Sequence, residues 1–131
     1  RLVPHVIYSA LDNQDVQMTL GTQKRDFVYV DDVVEALLLA AETPVPPGSV
    51  FNIGSGIGTP VKEAALLILK LRGEPVNLEL GAVTARPDEI MEMSANIDAA
   101  GSSLAWKPKT TLKEGLDRSI AWFQENQNRR F

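Results

Sequence analysis

The sequence predicts an α/β fold, a short parallel β-α-β unit with helices packed on it. Three observations favour this class. The spacing of apolar residues switches along the chain between the helical period of about 3.6 and the strand period of 2. A strand, a helix and another strand follow one another within about thirty residues, the length of a crossover unit. The 131 residues, 44% hydrophobic and 23% charged, have the balance of one globular domain. We therefore expect a single domain over residues 1–131, with a right-handed crossover.

The first third of the chain predicts a helix, two strands and a second helix. Residues 2–11 repeat their apolar side chains at helical spacing, and Asp12 and Asn13 end the repeat. Residues 16–20 alternate as a half-buried strand, and residues 27–30 form a second short one. Asp31 or Asp32 is predicted to cap a helix over residues 33–42. That helix carries one charge before its last residue, so we expect it to be buried on most sides.

The remaining elements follow a proline-rich break at residues 43–48. Residues 50–53 predict a strand and residues 54–58, GSGIG, a tight loop. Thr59 and Pro60 are predicted to cap and open a helix that Gly73 ends, and residues 76–80 predict the next strand. A short helix is expected over residues 96–104. Thr111 and Glu114 predict a capping box at the start of the last helix. Its inward face should carry Leu112, Leu116, Ile120 and Phe123.

Composition excludes several classes of function. A net charge of −4 argues against a nucleic-acid partner. The absence of cysteine excludes thiolate chemistry, and with only one histidine a zinc or iron site is not expected. No apolar run reaches the ~20 residues of a membrane span. We expect a cytoplasmic protein without a membrane or metal partner.

The motifs for catalysis and cofactor binding are incomplete. GSGIG lacks the sixth-position glycine of a dinucleotide fingerprint, which favours a plain turn over a cofactor cradle. A reductase-type tyrosine with a lysine four residues later is missing, since Tyr8 precedes Asp12 and Tyr29 precedes Val33 at that spacing. His5 has no partner serine in a G-x-S-x-G turn, and we interpret it as a partly exposed helix residue. We predict no catalytic residue in this chain.

Two arginines are candidates for binding an anion. Arg25 stands at the entrance to a predicted strand, and Arg86 lies in an irregular segment stiffened by Pro87. A guanidinium presents five donors in a rigid fork that suits phosphate oxygens. The alternative, which composition alone favours, is a pair of surface arginines that form ion pairs with Asp26 and Asp88.

Four segments in order resemble a known family. They are RDFVYVDDVVEAL (residues 25–37), VFNIGSGIGTPVKEAA (50–65), RPDEIMEMSANIDAA (86–100) and LAWKPKTTLKEGL (104–116). They are similar to successive landmarks of the extended short-chain dehydrogenase/reductases, the NAD-dependent sugar-nucleotide epimerases, dehydratases and 4-ketoreductases related to UDP-glucose 4-epimerase. The resemblance implies that the chain is the C-terminal, substrate-binding part of such an enzyme. It would lack the N-terminal Rossmann domain with the NAD loop and the catalytic Tyr-x-x-x-Lys. The start at Arg1 rather than Met fits a fragment.

The resemblance also implies roles for individual residues. Arg25 and Arg86 match the arginines that reach the diphosphate of a nucleotide sugar, and Glu89 matches the acidic residue that accepts from the ribose. The segment that lines the base points to Met18 and Leu20, and Leu2 is a further candidate for that pocket. Two positions depart from the family pattern. Gly101 replaces a long polar helix residue, and Ala105 replaces the glycine commonly found before the tryptophan.

The function expected is that of a nucleotide-sugar-binding part, for a UDP-, dTDP-, CDP- or GDP-sugar, that does not catalyse alone. NAD(P) would bind only in the complete enzyme, with the missing Rossmann domain supplied in cis or in trans. An alternative is a stand-alone binding module. A second alternative is a structural module that forms a homo-oligomer through apolar faces such as that of residues 33–41.

Overall fold

The computed structural model describes residues 2–73 and 75–126, which form five helices and four short strands. In chain order the elements are α1 (Leu2–Leu11), β1 (Val16–Met18), β2 (Lys24–Asp26), α2 (Val30–Glu42), β3 (Gly58–Pro60), α3 (Val61–Arg72), β4 (Leu78–Leu80), α4 (Asp98–Leu104) and α5 (Leu112–Glu125). The predicted α/β class, with a short parallel sheet and packed helices, is confirmed.

The strands form two separate two-stranded sheets. β1 and β4 are parallel, with Val16 opposite Leu78, and α3 lies in the connection between them. The predicted parallel unit is therefore present, but its first strand is β1. The prediction of a strand over residues 50–53 is wrong, because within the described ranges that segment pairs with no strand. Its Phe51 and Ile53 side chains instead pack beside Trp106.

The second sheet joins β2 to β3 in antiparallel register, with Arg25 opposite Thr59 and Asp26 opposite Gly58. The strand predicted over residues 27–30 is wrong. Pairing with β3 stops at Asp26, residues 27–29 continue without a strand partner among the described residues, and α2 begins at Val30.

Some of the predicted helix ends are confirmed and others are wrong. Thr111 and Glu114 form the predicted capping box, in which the Glu114 amide donates to Thr111 Oγ1 at 3.3 Å. Gly73 ends α3 in the left-handed region with φ of 70°. The capping role predicted for Asp31 or Asp32 is wrong, because α2 starts before them and Tyr29 occupies the N-cap position.

The cap predicted at Thr59 is also wrong. This residue lies inside β3, and α3 starts after Pro60 without a side-chain cap.

Two apolar clusters hold these elements together. The larger one joins α1, β1, α3 and α5, with Ile7, Val16 and Ile68 fully buried at its centre. The predicted inward face of α5 belongs to it, since Leu116 and Ile120 are buried. The smaller cluster packs α2 and α4 around Trp106, whose indole N–H donates to the Asp32 carbonyl at 2.9 Å.

The burial expected of α2 is met on one side only. Ala36 is buried in the smaller cluster, and Leu39 packs against it. On the other side Val34, Leu37 and Leu38 are exposed by 47%, 64% and 58%. A helix that is apolar on both faces is typical of one covered on both faces. The described residues therefore leave one face of α2 without a covering layer.

Candidate functional site

A cavity of about 610 Å³ opens where α1, β1, β2 and the irregular segment after β4 meet. We call it the arginine cavity. Its lining residues are Leu2, His5, Gln17, Met18, Thr19, Gln23, Arg25, Val61, Val83, Arg86 and Glu89. Five of the six predicted site residues lie here, although they come from three distant stretches of the chain. Leu20 is the exception, because it is 64% exposed and its Cδ2 lies over Gly81.

Arg25 is held in the cavity by the hydrogen bonds that its guanidinium group donates. Its Nη1 donates to the carbonyl oxygens of Lys24, at 2.8 Å, and Ile90, at 2.7 Å, and its Nη2 forms an ion pair with Glu89. The side chains of Arg25 and Glu89 are 28% and 25% exposed, so the pair is partly shielded from water. The predicted alternative partner of Arg25, Asp26, is not the one observed.

Arg86 and Glu89 are brought together by a local turn. The Glu89 amide donates to the Arg86 carbonyl at 3.2 Å, and both side chains reach the same cavity. Arg86 is exposed, and the described contacts include no ion pair between Arg86 and Asp88. Two cationic forks and one carboxylate therefore face the cavity, an arrangement that can bind an anion with several oxygens.

The segment that carries Glu89 runs alongside β2. The Lys24 amide donates to the Met91 carbonyl at 2.7 Å, and the Met93 amide donates to the Lys24 carbonyl at 3.3 Å. Outside the strand, Lys24 Nζ and Glu92 form an exposed ion pair at 3.2 Å. Such an exposed pair contributes little, so the two backbone bonds set the position of the segment.

Asp26 was predicted only as an alternative ion-pair partner of Arg25, and its observed role was not predicted. Its carboxylate accepts from the amide and hydroxyl of Ser55, both at 2.6 Å, and from the amides of Gly56 and Ala95, both at 3.0 Å. Burial raises the pKa of Asp26, but the hydrogen bonds from Ser55, Ala95 and Gly56 outweigh it and lower the pKa below the ordinary value of 3.8. No local signal in the sequence marked this role, because the partners lie 29 and 69 positions away.

These hydrogen bonds give the GSGIG loop a structural role. The amides of Ser55 and Gly56 already have an acceptor in Asp26. A Cβ on Gly54 would lie 2.6 Å from Asp26 Oδ2, so the loop packs directly on this carboxylate. The loop therefore does not fit the pyrophosphate of a dinucleotide, which needs free amide donors and an open approach.

Two other features are absent from residues 2–73 and 75–126. No group of three or more His, Cys, Asp or Glu residues there could hold a metal ion. No helix in that part of the chain is long and apolar enough to cross a membrane.

Comparison with known proteins gives the family. Residues 1–54 match the NAD dependent epimerase/dehydratase family. CDP-abequose synthase of Salmonella muenchen is 32% identical over 92% of this chain and 41% of its own length. The dTDP-D-glucose 4,6-dehydratase of Mus musculus is 33% identical over 81% of this chain and 31% of its own length.

A solved structure agrees. The UDP-glucose 4-epimerase of Thermotoga maritima, determined with UDP-glucose, has a TM-score of 0.88 and 31% identity over 97% of this chain and 40% of that one. The present chain thus spans between 31% and 41% of the length of these three relatives. It belongs to the NAD-dependent epimerase/dehydratase family of extended short-chain dehydrogenase/reductases and matches their C-terminal part.

Proposed function

We propose that this chain is the nucleotide-sugar-binding part of an NAD-dependent epimerase, dehydratase or 4-ketoreductase. In this proposal Arg25 and Arg86 hold the diphosphate, and Glu89 accepts from the ribose. Leu2 and Met18 contact the base. Leu20 was predicted for the same role, but the geometry of the arginine cavity does not support it.

The observation that carries the proposal is the shared cavity. Arg25 and Arg86 are sixty-one positions apart in the sequence, yet both line the arginine cavity, together with Glu89. Two guanidinium groups against one carboxylate leave the site with an unbalanced positive charge. A diphosphate would neutralise it and would offer oxygens for both forks.

The Arg25–Glu89 ion pair suggests how the site responds to its ligand. Glu89 is the counter-anion of Arg25 in the structure. A diphosphate would compete for the Arg25 Nη2 donor, and the carboxylate of Glu89 would then be available to the ribose hydroxyls. Each charge-assisted hydrogen bond gained contributes about 1.5 to 3 kcal/mol.

Binding energy of this kind positions the sugar without acting on it. Contacts with the non-reacting nucleotide can be used to orient the reacting group elsewhere. The NAD-binding part of the family fold, in cis or in trans, would supply the hydride chemistry and the catalytic tyrosine and lysine. We expect the chain by itself to bind nucleotide without turnover, even with NAD added.

Calorimetric titration with UDP, dTDP, CDP and GDP tests the proposal. We expect saturable binding of at least one of the four, and a loss of roughly 10- to 150-fold for Arg25→Ala and for Arg86→Ala. Arg118→Ala is the matched control, because Arg118 is an exposed arginine on α5 that stacks over the Tyr29 ring at 5.4 Å. Absence of binding to all four nucleotides, or equal losses in all three variants, would refute the assignment.

A second candidate function, self-association, is favoured by the exposed face of α2. The face consists of Val30, Val34, Leu37 and Leu38, which are each at least 47% exposed. Either a second copy of the chain or the NAD-binding part of the family fold could cover it. Light scattering of the wild type and of Leu37→Gln tests the first option, with Leu66→Gln on α3 as the control, since Leu66 is 49% exposed. A monomer at all concentrations would exclude self-association.

A further inference from the structure

Asp26 follows Arg25 in β2 but does not line the arginine cavity. Consecutive residues of a strand point to opposite faces, and the two side chains have different hydrogen-bond partners. The carboxylate of Asp26 bonds to the loop that contains Ser55 and Gly56 and to the amide of Ala95. One side chain thus joins β2, the GSGIG loop and the segment after Met93.

We propose that Asp26 is a positioning residue of the nucleotide site. It fixes β2 against residues 86–95, so that Arg25, Arg86 and Glu89 face the same anion. This inference rests on the proposed function and adds to it a residue that makes no contact with the ligand.

The first support is the geometry of the segment that Asp26 holds. Among the described contacts, residues 89–95 are tied to β2 by the backbone of Lys24, by Arg25 and by Asp26. The ligand itself would compete for Arg25. The bonds of Lys24 and Asp26 would therefore keep the segment in place while Arg25 exchanges Glu89 for phosphate oxygens.

The second support is the closeness of the packing around the carboxylate. A Cβ on Gly54 would lie 2.6 Å from Asp26 Oδ2 and 2.7 Å from the Cβ of Ala95. Contacts this short are not made by real side chains, so only glycine allows the loop to approach. The loop, Asp26 and Ala95 form one closely packed unit whose members cannot shift separately.

The third support is the balance of donors and acceptors. An ionised carboxylate offers about four acceptor positions, and four donors point at Asp26. The hydrogen bonds hold the pKa of Asp26 below its ordinary value in spite of burial, so the group stays ionised at neutral pH. An asparagine there would turn an amide N–H₂ toward donors, and part of the network would be lost.

A double-mutant cycle on nucleotide binding tests the inference. The tightest of UDP, dTDP, CDP and GDP is titrated into the wild type, Arg25→Ala, Asp26→Asn and the double variant. We expect Asp26→Asn alone to weaken binding about tenfold. In the Arg25→Ala background the same change should weaken binding less than about twofold, because β2 then provides no guanidinium that has to be aligned with Arg86 and Glu89.

Asp32→Asn is the matched control for a loss of folding alone. Asp32 is a buried carboxylate that likewise accepts from backbone amides, those of Lys109 and Thr110 at 3.2 and 3.0 Å, away from the arginine cavity. We expect this variant to unfold more easily and to keep its nucleotide affinity within about twofold. Ser55→Ala removes a single donor to Asp26 and replaces Asp26→Asn in the experiment if that variant does not fold. We expect it to weaken nucleotide binding about threefold.

The outcomes separate two kinds of failure. Unchanged binding in Asp26→Asn, an equal loss in Asp32→Asn, or a full tenfold loss in the Arg25→Ala background would overturn the positioning role alone. If the wild type binds no nucleotide, or if Arg25→Ala binds normally, the proposed function is wrong and the positioning role fails with it.

Discussion

Replacing Ala105 by glycine should stabilise the protein, although alanine-to-glycine changes usually destabilise. Ala105 follows α4 in the left-handed region, with φ of 51° and ψ of 26°. A Cβ in this region costs roughly 1 to 2 kcal/mol. Glycine removes that cost. It also destabilises the folded state by about 0.4 to 1 kcal/mol, because the unfolded chain gains conformational freedom. The net expectation is a gain of about 0.5 to 1 kcal/mol.

Ala99→Gly is the matched control. Ala99 lies six positions earlier, inside α4, and is exposed like Ala105. Glycine in the interior of a helix costs about 0.8 to 1 kcal/mol relative to alanine. The same substitution should therefore change the free energy of unfolding in opposite directions at the two sites.

Urea unfolding, followed by the fluorescence of the buried Trp106, measures both effects. For a chain of this length 1 kcal/mol corresponds to a shift in Tm of about 3 to 5 °C, so calorimetry provides a second measurement. If Ala105→Gly destabilised the chain as much as Ala99→Gly, the backbone strain assigned to position 105 would be refuted.

Three further predictions concern stability. Thr111→Ala removes the N-cap of α5 and should cost about 1 kcal/mol in urea unfolding, whereas no loss would mean that the capping box is dispensable. The lowered pKa of Asp26 contributes stability that is present above the ordinary value of 3.8 and is lost as pH falls through the folded-state pKa. In an acid titration, the free energy of unfolding of Asp26→Asn should therefore decrease less over this pH range than that of the wild type. Gly54→Ala should lower the free energy of unfolding by about 1 to 3 kcal/mol through overpacking. Gly101→Ala should raise it by about 0.5 to 1 kcal/mol, because the new Cβ would come no closer than 3.7 Å to Trp106 O. The opposite order of stabilities would contradict these contacts.

Helices with a strong periodic pattern were predicted almost to the residue. α1 was predicted over residues 2–11 and is observed as Leu2–Leu11, and the capping box of α5 was found from Thr111 and Glu114 alone. These features depend on residues three or four positions apart, so a local reading of the sequence contains the information. The end of α3 at Gly73 was predicted for the same reason.

The strands were predicted with mixed success. β1 and β4 were predicted, as residues 16–20 and 76–80 and each two residues too long, whereas β2 and β3 were not. Each strand depends on a distant partner, which a local pattern does not show. β1 pairs with residues sixty-two positions away, and β2 is the polar sequence Lys-Arg-Asp, which no apolar alternation marks. The apolar run over residues 27–30 looked more like a strand, yet no described strand lies beside it. An extended segment becomes a strand only when a neighbour accepts and donates its backbone hydrogen bonds.

The carboxylates show the same limit at the level of the site. An aspartate near a helix start predicts a cap from local sequence, but Asp32 bonds to amides more than seventy positions away. Asp26 similarly bonds to Ser55 and Ala95, which no spacing rule connects with it. The proposed nucleotide-binding residues Arg25, Arg86 and Glu89 were selected through the resemblance to a family, and composition alone favoured ordinary surface ion pairs.

The arginine cavity is bounded by two different kinds of structure, and this has consequences for mutation. Met18 and Val61 line it and also belong to the larger apolar cluster, so that side is fixed by packing. The opposite side, residues 86–95, is fixed by backbone hydrogen bonds with Lys24 and by the bond that the Ala95 amide donates to Asp26. Packing tolerates small changes by relaxing, whereas a directional bond is either made or lost. Substitutions on the packed side should therefore lower stability and affinity together, and substitutions on the bonded side should lower affinity more than stability.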